Sequence, residues 1–335
     1  MRRRTERLVA NERAIARAAE VLRLGGLVAF PTETVYGLGA RADEEQAVRG
    51  IFEAKGRPSH NPLIVHAVDA DAARGFAGSW SAAAEALAGA FWPGPLTLIV
   101  ARPEAARASF GAIAESVTAG GNTLALRVPA HPVAQALLRA VRLPVAAPSA
   151  NRSNRISPTT ANHVMKMLDG RIDICLDGGA AGFGIESTII DVTSAPAIVL
   201  RVGAIPAHAV AEHVGLVDQS GAVVAADQRP RAPGAFARHY APEAHVVIVP
   251  SAEVEREALG RRAQGERVGV LVRGSRPAWD GVIVEALAED PAGYAAELYA
   301  ALHRLEDAGC DAIVVASIPP EPAWAAVRDR LARAS

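Results

Sequence analysis

Short apolar runs along the chain predict strands, and the stretches between several of them have the periodicity of amphipathic helices. Residues Asn11–Leu24 carry apolar positions at helical spacing and stop at a glycine pair. The run Leu27–Phe30 predicts a short strand, and a helix N-capped by Asp43 is predicted to extend to about Lys55. Further strands are predicted at Pro62–Val68, Leu96–Val100, Thr123–Val128, Pro144–Ala147, Asp173–Asp177, Ser187–Val192 and Ala197–Val202, with helices near Ser81–Phe91, Pro132–Val141 and Thr160–Leu168.

The order of these elements predicts an α/β fold with two domains. Some strands follow one another directly and others alternate with helices, which favours a mixed sheet covered by helices over a strict βαβ series. Periodicity is lost near Gly215, and the Pro- and Gly-containing stretch that follows is typical of a linker. We therefore predict a large domain at 1–214, a linker at 215–244 and a small Rossmann-like α/β domain at 245–335, with strands at His245–Val249, Val268–Val272 and Asp311–Val315 and helices at Pro291–Ala308 and Ala323–Ala334.

Composition narrows the classes of protein that fit. The chain has 335 residues and a net charge of −1, which argues against a surface that is basic all over and coats nucleic acid. It has two cysteines and no CxxC, so no zinc or thioredoxin-type site is indicated. No window approaches the roughly 18 apolar residues of a membrane span, and charge interrupts the basic N-terminus where a secretory signal would be apolar. The sequence therefore predicts a cytoplasmic protein with no membrane segment.

A stiff basic loop, KGRPSHNPL, runs from Lys55 to Leu63. Cations favour a helix C-terminus, so helix capping is one interpretation of Lys55 and Arg57. The prolines that follow stiffen the loop, and an arginine fork beside a lysine point charge suits a polyphosphate or a carboxylate. Since the chain has neither a GxxxxGK[ST] loop nor a GxGxxG turn, side-chain cations would carry much of any phosphate binding.

Hydroxyl and amide side chains gather where predicted strands end or begin. Thr32, Thr34 and Tyr36 follow the first strand in PTETVYGLGA, and APSANRSNRISPTT, from Ala147 to Thr160, follows the strand at residue 144. Open α/β sheets bind ligands at such strand ends, and free backbone N–H groups beside short donors can form an anion-binding nest. The alternatives are an ordinary turn and a polar surface loop.

Two arginines, Arg127 and Arg201, lie in otherwise apolar strands. A desolvated charge is costly unless it is paired, so each predicts a partner nearby. That partner is either a carboxylate of the protein or a ligand phosphate or carboxylate.

Six motifs in order resemble the threonylcarbamoyl-AMP synthase family in its long, two-domain form: PTETVYGLGA, KGRPxxNPLIVH, WPGPLTLI, LALRVPAHP, APSANxS…SPT and GxESTIID. The similarity covers roughly residues 12–210 and resumes at APGAFARHYAP, residues 232–242, which is similar to that family's linker. The resemblance implies a YrdC-like domain, with a twisted mixed sheet and a concave basic cleft, followed by a small α/β domain.

The resemblance also implies a nucleotidyltransferase reaction, in which L-threonine, bicarbonate and ATP give threonylcarbamoyl-adenylate and pyrophosphate. A partner enzyme would then transfer the threonylcarbamoyl group to the adenosine beside the anticodon of tRNA. Mg²⁺ is expected with ATP, and no protein metal site is implied. The implied roles are catalysis for Lys55 and Arg57, threonine binding for Thr32, His66, Arg127, Ser149 and Ser187, and ATP binding for Lys55, Ser59, Thr123, Asn151, Ser157, Arg201 and Tyr240.

Two further expectations concern the linker and a competing function. Tyr240, with Arg238 and His239, is expected to fold over the cleft as a lid that keeps water from a labile intermediate. The alternative function is a module that binds tRNA or double-stranded RNA by shape without its own catalysis. Near-neutral charge and few aromatic residues weigh against that alternative.

Overall fold

We analysed a computed structural model of the chain, which describes residues 4–103, 113–215, 217–218 and 240–335. The described residues form two compact units. Residues 154–157, 183–185 and 240–335 make up the small unit, and the others make up the large unit. Two short segments from the first part of the chain therefore belong to the small unit, which a cut near residue 214 does not anticipate.

The large unit is built on an eleven-stranded mixed sheet. Its strands are β1 (Glu6–Val9), β2 (Val28–Phe30), β3 (Gly37–Arg41), β4 (Ile64–His66), β5 (Leu96–Ala101), β6 (Thr123–Arg127), β7 (Val145–Ala146), β8 (Ile174–Asp177), β9 (Thr188–Asp191), β10 (Ala197–Arg201) and β11 (Val217–Asp218). Their order is β1-β8-β2-β3-β7-β4-β6-β5-β9-β10-β11, with parallel and antiparallel neighbours. The prediction of a mixed sheet covered by helices is confirmed.

Eight helices of the large unit are described: α1 (Glu12–Arg23), α2 (Glu45–Lys55), α3 (Ala70–Gly75), α4 (Ala82–Phe91), α5 (Glu115–Thr118), α6 (Pro132–Val141), α7 (Ala161–Leu168) and α8 (Ala207–Val214). Side-chain caps start several of them, and the carboxamide of Asn11 accepts from Ala14 N at 2.9 Å at the start of α1. The predicted cap of α2 is wrong, because Glu44 holds the cap position without a side-chain hydrogen bond. The carboxylate of Asp43 binds Arg41 instead, at 2.8 Å.

Alternation along the central strands separates a helix-covered face from a polar one. Val65, Leu126, Leu98 and Ile190 are register neighbours on β4, β6, β5 and β9, and all four are buried in the main core. The residues one position along point to the opposite face, because side chains alternate along a strand. That second face carries the small apolar cluster Ile64, Ala125, Ile99, Ile189 and Leu200, and beside it lies the candidate site.

The segment PTETVYGLGA forms part of a hairpin where the sequence predicted a turn. Gly37–Arg41 is strand β3, antiparallel to β2, with Gly39 opposite Val28. A Cβ atom at Gly39 would lie 2.8 Å from Phe30 Cε1 and 3.0 Å from Val145 Cγ1, so the sheet packs against a bare backbone here. Glycines lower the strand signal of a sequence, which explains why this strand was missed.

The small unit contains a four-stranded, all-parallel sheet in the order β12-β15-β13-β14. Helices pack against this sheet, with buried Leu298, Leu302 and Leu305 on the longest helix. The expected Rossmann-like α/β layer is confirmed, although the strand at Ile283 and the helix at Val254 were not predicted. The elements are β12 (His245–Val249), α9 (Val254–Ala263), β13 (Val268–Arg273), β14 (Ile283–Leu287), α10 (Pro291–Asp307), β15 (Ala312–Ala316) and α11 (Ala325–Ala334).

No helix among the described residues combines the length and the apolar character that crossing a bilayer requires.

The close packing at Gly39 gives a stability prediction. We expect Gly39→Ala to lower the free energy of unfolding by about 1–3 kcal/mol, because the added methyl group overlaps Phe30 and Val145. The control is Gly89→Ala on α4, where no atom lies within 4 Å of the added Cβ and the variant should gain up to about 1 kcal/mol of helix propensity. Urea unfolding of both variants measures the difference. Equal stabilities for the two variants would contradict the packing argument.

Candidate functional site

One row of register neighbours crosses the polar face of the large sheet. His66 on β4 pairs with Arg127 on β6, Arg127 pairs with Thr97 on β5, and Thr97 pairs with Ile189 on β9. Ile189 in turn pairs with Arg201 on β10, next to a register shift. Neighbouring Cα atoms in such a row lie about 4.5–5.5 Å apart, so these side chains share one surface. The structure thus places His66, Arg127 and Arg201, the predicted threonine- and nucleotide-binding residues, in one row of the sheet.

The guanidinium of Arg127 is buried and satisfied on one side only. Its Nη2 atom donates to Glu33 Oε1 at 2.7 Å and to Thr34 Oγ1 at 2.9 Å. Its Nε atom is buried and has no hydrogen-bond partner among the described residues. Of the two predicted partners, a protein carboxylate is therefore present, and one donor of the fork remains for a second acceptor.

The electrostatics of Glu33 follow from this pairing. Burial alone would raise its pKa, but the charge of Arg127 and the hydrogen bonds from Arg127 and Ala130 N outweigh burial and lower the pKa. Glu33 is therefore ionised at neutral pH. Because the charges of Glu33 and Arg127 largely cancel, burying Arg127 here costs much less free energy than burying an unpaired arginine would.

His66 is buried and uncharged. Burial, together with the positive charge of Arg127, lowers the pKa of His66 to about 3. Its Nδ1 atom lies 3.3 Å from the carbonyl oxygen of Ile64, which must accept the bond, and the ring packs edge-on against Phe30. A neutral imidazole that donates through Nδ1 has Nε2 as an acceptor. His66 can thus receive a hydrogen bond from a ligand hydroxyl or amine.

Ser187, Thr97 and Arg201 form a second buried group on the same face. The Ser187 and Thr97 hydroxyl oxygens are 2.8 Å apart. Arg201 donates from Nη2 to Ser187 Oγ and from Nε to Ser187 O, both at 3.0 Å. The two predicted residues Ser187 and Arg201 are therefore in direct contact, and Thr97 is a neighbour that the sequence analysis did not select.

Lys55 holds the first part of the polar loop at residues 147–160, the part that belongs to the large unit. Its Nζ atom, almost wholly buried, donates to the carbonyl oxygens of Ser149, at 2.5 Å, and Asn151. The backbone returns the contact, since Ser153 N donates to Lys55 O at 2.8 Å. Burial, with a smaller contribution from Arg57, lowers the pKa of Lys55 well below its usual value. Both of these side-chain hydrogen bonds go to neutral carbonyl groups.

Arg57 stiffens its own loop in a similar way. It donates from Nε to Asn61 O at 3.2 Å and from Nη2 to Pro62 O at 2.9 Å, and it is buried. Ser59, in the same loop, is exposed. These hydrogen bonds of the two cations go to carbonyl groups of loops and not to carbonyl groups of α2, and phosphate binding stays a prediction.

Thr32 belongs to a chain of hydroxyl groups that begins at Arg127. The hydroxyl oxygens of Thr32 and Thr34 are 2.9 Å apart, and Thr32 Oγ1 donates to Val35 O at 2.6 Å. Thr34 accepts from Arg127, so the guanidinium orients both threonines. Residues 32–34, which follow β2, are thus linked by hydrogen bonds to Arg127 at the end of β6.

Thr123 lies apart from this group. It begins β6 and Arg127 ends it, a separation of about 13 Å at roughly 3.3 Å per residue. A ligand that reached both residues would have to extend along the strand. The assignment of Arg127 to threonine and of Thr123 to ATP is compatible with a ligand that extends along the strand. Both assignments stay predictions.

Two predicted nucleotide ligands belong to the small unit. Ser157 is fully buried, and its carbonyl oxygen accepts from His303 Nε2 at 3.2 Å. Tyr240 is also buried, 5.9 Å from the ring of Tyr299 and with the Arg330 guanidinium 5.1 Å above it. The other expected lid residues, Arg238 and His239, lie outside the described residues.

Glu33 and Thr97 are the residues that the sequence analysis missed. Both lie inside the family-like motifs PTETVYGLGA and WPGPLTLI, in which the sequence draws attention only to the hydroxyl groups of the first. The usable signal was the buried Arg127, which required a carboxylate from somewhere in the chain. Within the described residues, no group of three or more histidine, cysteine or acidic side chains could hold a metal ion.

Two family models together cover most of the chain. One, described as "Telomere recombination", matches residues 20–203. The other, described as "Threonylcarbamoyl-AMP synthase, C-terminal domain", matches residues 202–335.

Similar proteins and structures extend over nearly the whole length. A protein of Pyrococcus abyssi is 40% identical over 325 residues, 95% of this chain and 93% of its own, and one of Bacillus subtilis is 39% identical over 337 residues, 99% and 95%. Both are named threonylcarbamoyl-AMP synthase. The structure of Pyrococcus abyssi Sua5 complexed with L-threonine has a TM-score of 0.88 and 38% identity, covering 99% of this chain and 96% of that one. A variant of the same protein with a histidine and a tyrosine replaced by alanine has a TM-score of 0.90 and 37% identity, covering 98% and 96%.

Burial of His66 predicts a loss of stability in mild acid. An unfolded histidine titrates near 6.5, so between about pH 6.5 and pH 3 the unfolded chain binds a proton that the folded chain excludes. Stability should therefore be complete above about pH 6.5 and fall as the pH decreases, by up to about 1.4 kcal/mol per unit. We expect His66→Asn to remove about 2 kcal/mol of the loss between pH 7.5 and pH 5, measured by urea unfolding.

His60→Asn is the control, because that histidine is exposed. The lowered pKa of Glu33 affects stability only below its ordinary range near 4.5, outside this window. A pH dependence that is identical in wild type and His66→Asn would show that His66 is not held neutral.

Proposed function

Since this chain belongs to the threonylcarbamoyl-AMP synthase family, we propose that it condenses L-threonine, bicarbonate and ATP into threonylcarbamoyl-adenylate and pyrophosphate. The threonine amine first forms a carbamate, either from CO₂ with loss of a proton or from bicarbonate with loss of water. A carbamate oxygen then attacks the α-phosphorus of ATP, a new P–O bond forms and the bond to pyrophosphate breaks. The full-length similarity to relatives of that name supports this assignment.

The half-satisfied guanidinium of Arg127 is the observation that carries the proposal. A carboxylate that binds Arg127 would use the buried Nε donor, which lacks a partner in the described structure. An arginine fork is suited to bind a carboxylate through two parallel hydrogen bonds. The Pyrococcus abyssi relative, whose structure is named as a complex with L-threonine, supports an amino acid as the ligand.

The surrounding groups fit the rest of a threonine molecule. His66, uncharged and with Nε2 as an acceptor, would receive a hydrogen bond from the threonine hydroxyl or amine. An uncharged imidazole also avoids repelling the threonine ammonium. Thr32, Ser149 and Ser187 would supply the remaining hydroxyl contacts.

The cations of the large unit would meet the nucleotide. Lys55, Arg57 and Arg201 offset the charge that builds up on the leaving pyrophosphate, and Ser59, Thr123 and Asn151 contribute polar contacts. Ser157 and Tyr240 are proposed nucleotide contacts from the small unit. Mg²⁺ enters as part of the MgATP substrate, because this ion is usually held by phosphates and one or two carboxylates.

Catalysis in this proposal requires positioning and not a covalent intermediate. The protein must hold two anions, the carbamate and the triphosphate, in line despite their repulsion. Bound side chains and backbone dipoles replace the water that would otherwise screen them. No side chain of the site is assigned as a nucleophile.

The product is a labile mixed anhydride, which implies prompt transfer to a second enzyme. We propose that a threonylcarbamoyl-transferase consumes it to modify the adenosine beside the anticodon of tRNA, in the cytoplasm. The reaction itself needs no RNA, and any binding of RNA by this chain would be weak and secondary.

Pyrophosphate release tests the function directly. Purified protein with MgATP should release pyrophosphate only when both L-threonine and bicarbonate are present, and it should do so without RNA. Release that needs RNA, or that ignores threonine, would contradict the proposal and favour the RNA-binding alternative.

Arg127 should govern the use of threonine. We expect Arg127→Met to lower kcat/KM for threonine about 100-fold, the effect of losing a charged bidentate contact worth about 3 kcal/mol. The KM for ATP should change less than about threefold. Initial rates at varied threonine and at varied ATP give the two constants.

Removal of Arg127 leaves Glu33 buried without its counter-ion, which could unfold the protein. The double variant Glu33→Gln/Arg127→Met avoids that charge and should show the same threonine defect. Arg139→Met, at an exposed position on α6, is the matched control. A wild-type KM for threonine in the folded double variant would refute the assignment of Arg127.

A further inference from the structure

Arg155 lies in the polar loop from Ala147 to Thr160, and it belongs to the small unit. Its guanidinium binds two carboxylates, Nη1 to Glu243 Oε1 at 2.7 Å and Nη2 to Glu306 Oε1 at 2.6 Å. The backbone nitrogen of Glu243 donates to the same Glu306 oxygen at 3.0 Å. Glu306 is sheltered, with 12% of its side chain exposed, whereas Glu243 is 78% exposed. Glu306 is therefore the central acceptor of this group.

The backbone on both sides of Arg155 is held as well. Ala241 N donates to Asn154 O at 3.0 Å, and Arg155 and Ala241 pair as an isolated parallel bridge. Further along, His303 Nε2 donates to Ser157 O at 3.2 Å. Asn154 has a positive φ of 64°, a conformation that asparagine tolerates better than most residues. Residues 154–157 are thus fixed at three successive points within the small unit.

The same loop carries residues that we assign to ATP. Ser157 is inside the fixed segment, and Asn151 lies four residues before Arg155 on the same stretch of chain. A loop rich in serine and asparagine has many conformations, and ordering a residue costs about 1–2 kcal/mol. Contacts that order the loop before the nucleotide arrives spare the binding step this cost.

We propose that Arg155 is a positioning residue for ATP, which orders residues 154–157, including Ser157, through its ion pair with Glu306. This inference rests on the proposed function. It also assigns a role to the small unit, whose Glu306 and His303 hold the loop segment that contains Ser157. Arg155 acts through the backbone and touches no reacting atom.

A merely structural role predicts something different. Partly exposed ion pairs contribute about 0–1 kcal/mol to stability. If Arg155 served stability alone, its loss should therefore leave the KM for ATP and the KM for threonine unchanged. A positioning role instead raises the KM for ATP selectively, because threonine is assigned to Arg127, His66 and Ser187 of the large unit.

The test compares Arg155→Met, Arg155→Lys and Glu306→Gln with Glu243→Gln as the matched control. We expect about a tenfold rise in the KM for ATP for Arg155→Met, equivalent to roughly 1.4 kcal/mol, with the KM for threonine within twofold. Glu306→Gln and Arg155→Lys should give smaller rises, and Glu243→Gln should change neither constant by more than twofold. Backbone amides in residues 154–157 should exchange with deuterium faster in Arg155→Met than in wild type, whereas those of residues 149–153, held by Lys55, should not.

An unchanged KM for ATP in folded Arg155→Met would overturn the inference. Equal rises in both substrate constants, together with a lower melting temperature, would overturn it too. If wild-type protein releases no pyrophosphate with threonine and bicarbonate, the proposed function fails, and hydrogen exchange then decides the positioning role separately. Faster exchange confined to residues 154–157 supports the ordering by Arg155, and unchanged exchange refutes it.

Discussion

The burial of positive charge is the constraint on which the site depends. Lys55, Arg57, Arg127 and Arg201 are each at most 8% exposed, in a unit whose interior is otherwise largely apolar. A desolvated cation costs several kcal/mol unless hydrogen bonds replace its water. Backbone carbonyl oxygens replace part of the lost hydration, and Lys55 alone donates hydrogen bonds to two of them in the polar loop that follows β7. The cations thus determine the shape of the loops, and a loop made of small polar residues acquires one conformation.

The same constraint distinguishes the two ends of the proposed site. Arg127 has a carboxylate partner, Glu33, so its surroundings are nearly neutral and suit a zwitterion such as an amino acid. The hydrogen bonds of Lys55 go to neutral carbonyl groups and burial lowers its pKa, so a polyanion bound beside it would stabilise the charged form of the amine. Burial keeps His66 uncharged beside Arg127, which leaves the amino-acid end without a second cation. Differences in charge compensation therefore agree with the proposed division of the site into a threonine end at Arg127 and a phosphate end at Lys55.

These differences also show how far a sequence alone reaches. The central strands were predictable because buried strands are continuous apolar runs, and Arg127 and Arg201 were noticeable because they interrupt such runs. Glu33 was not identified, because 94 residues separate it from Arg127 and only the folded sheet brings them together. The acceptors of Lys55 could not be predicted, because every residue has a carbonyl group and no side chain marks the ones used. Strand β3 was missed for a third reason, since its glycines serve close packing against Phe30 and carry no strand signal.

The division of the polar loop between two compact units has a consequence for stability and binding. Ser149 and Asn151 are held by Lys55 in the large unit, whereas residues 154–157 are held by hydrogen bonds and an ion pair in the small unit. A ligand that requires the whole loop to be ordered therefore binds best when both units are folded, and its binding free energy is linked to the stability of each. Loss of order in the small unit alone would release only the second half of the loop, because the contacts of Lys55 would remain. The affinity for such a ligand would then fall in part, whereas the hydrogen bonds of Arg127 to Glu33 and Thr34, which lie within the large unit, would not depend on that segment.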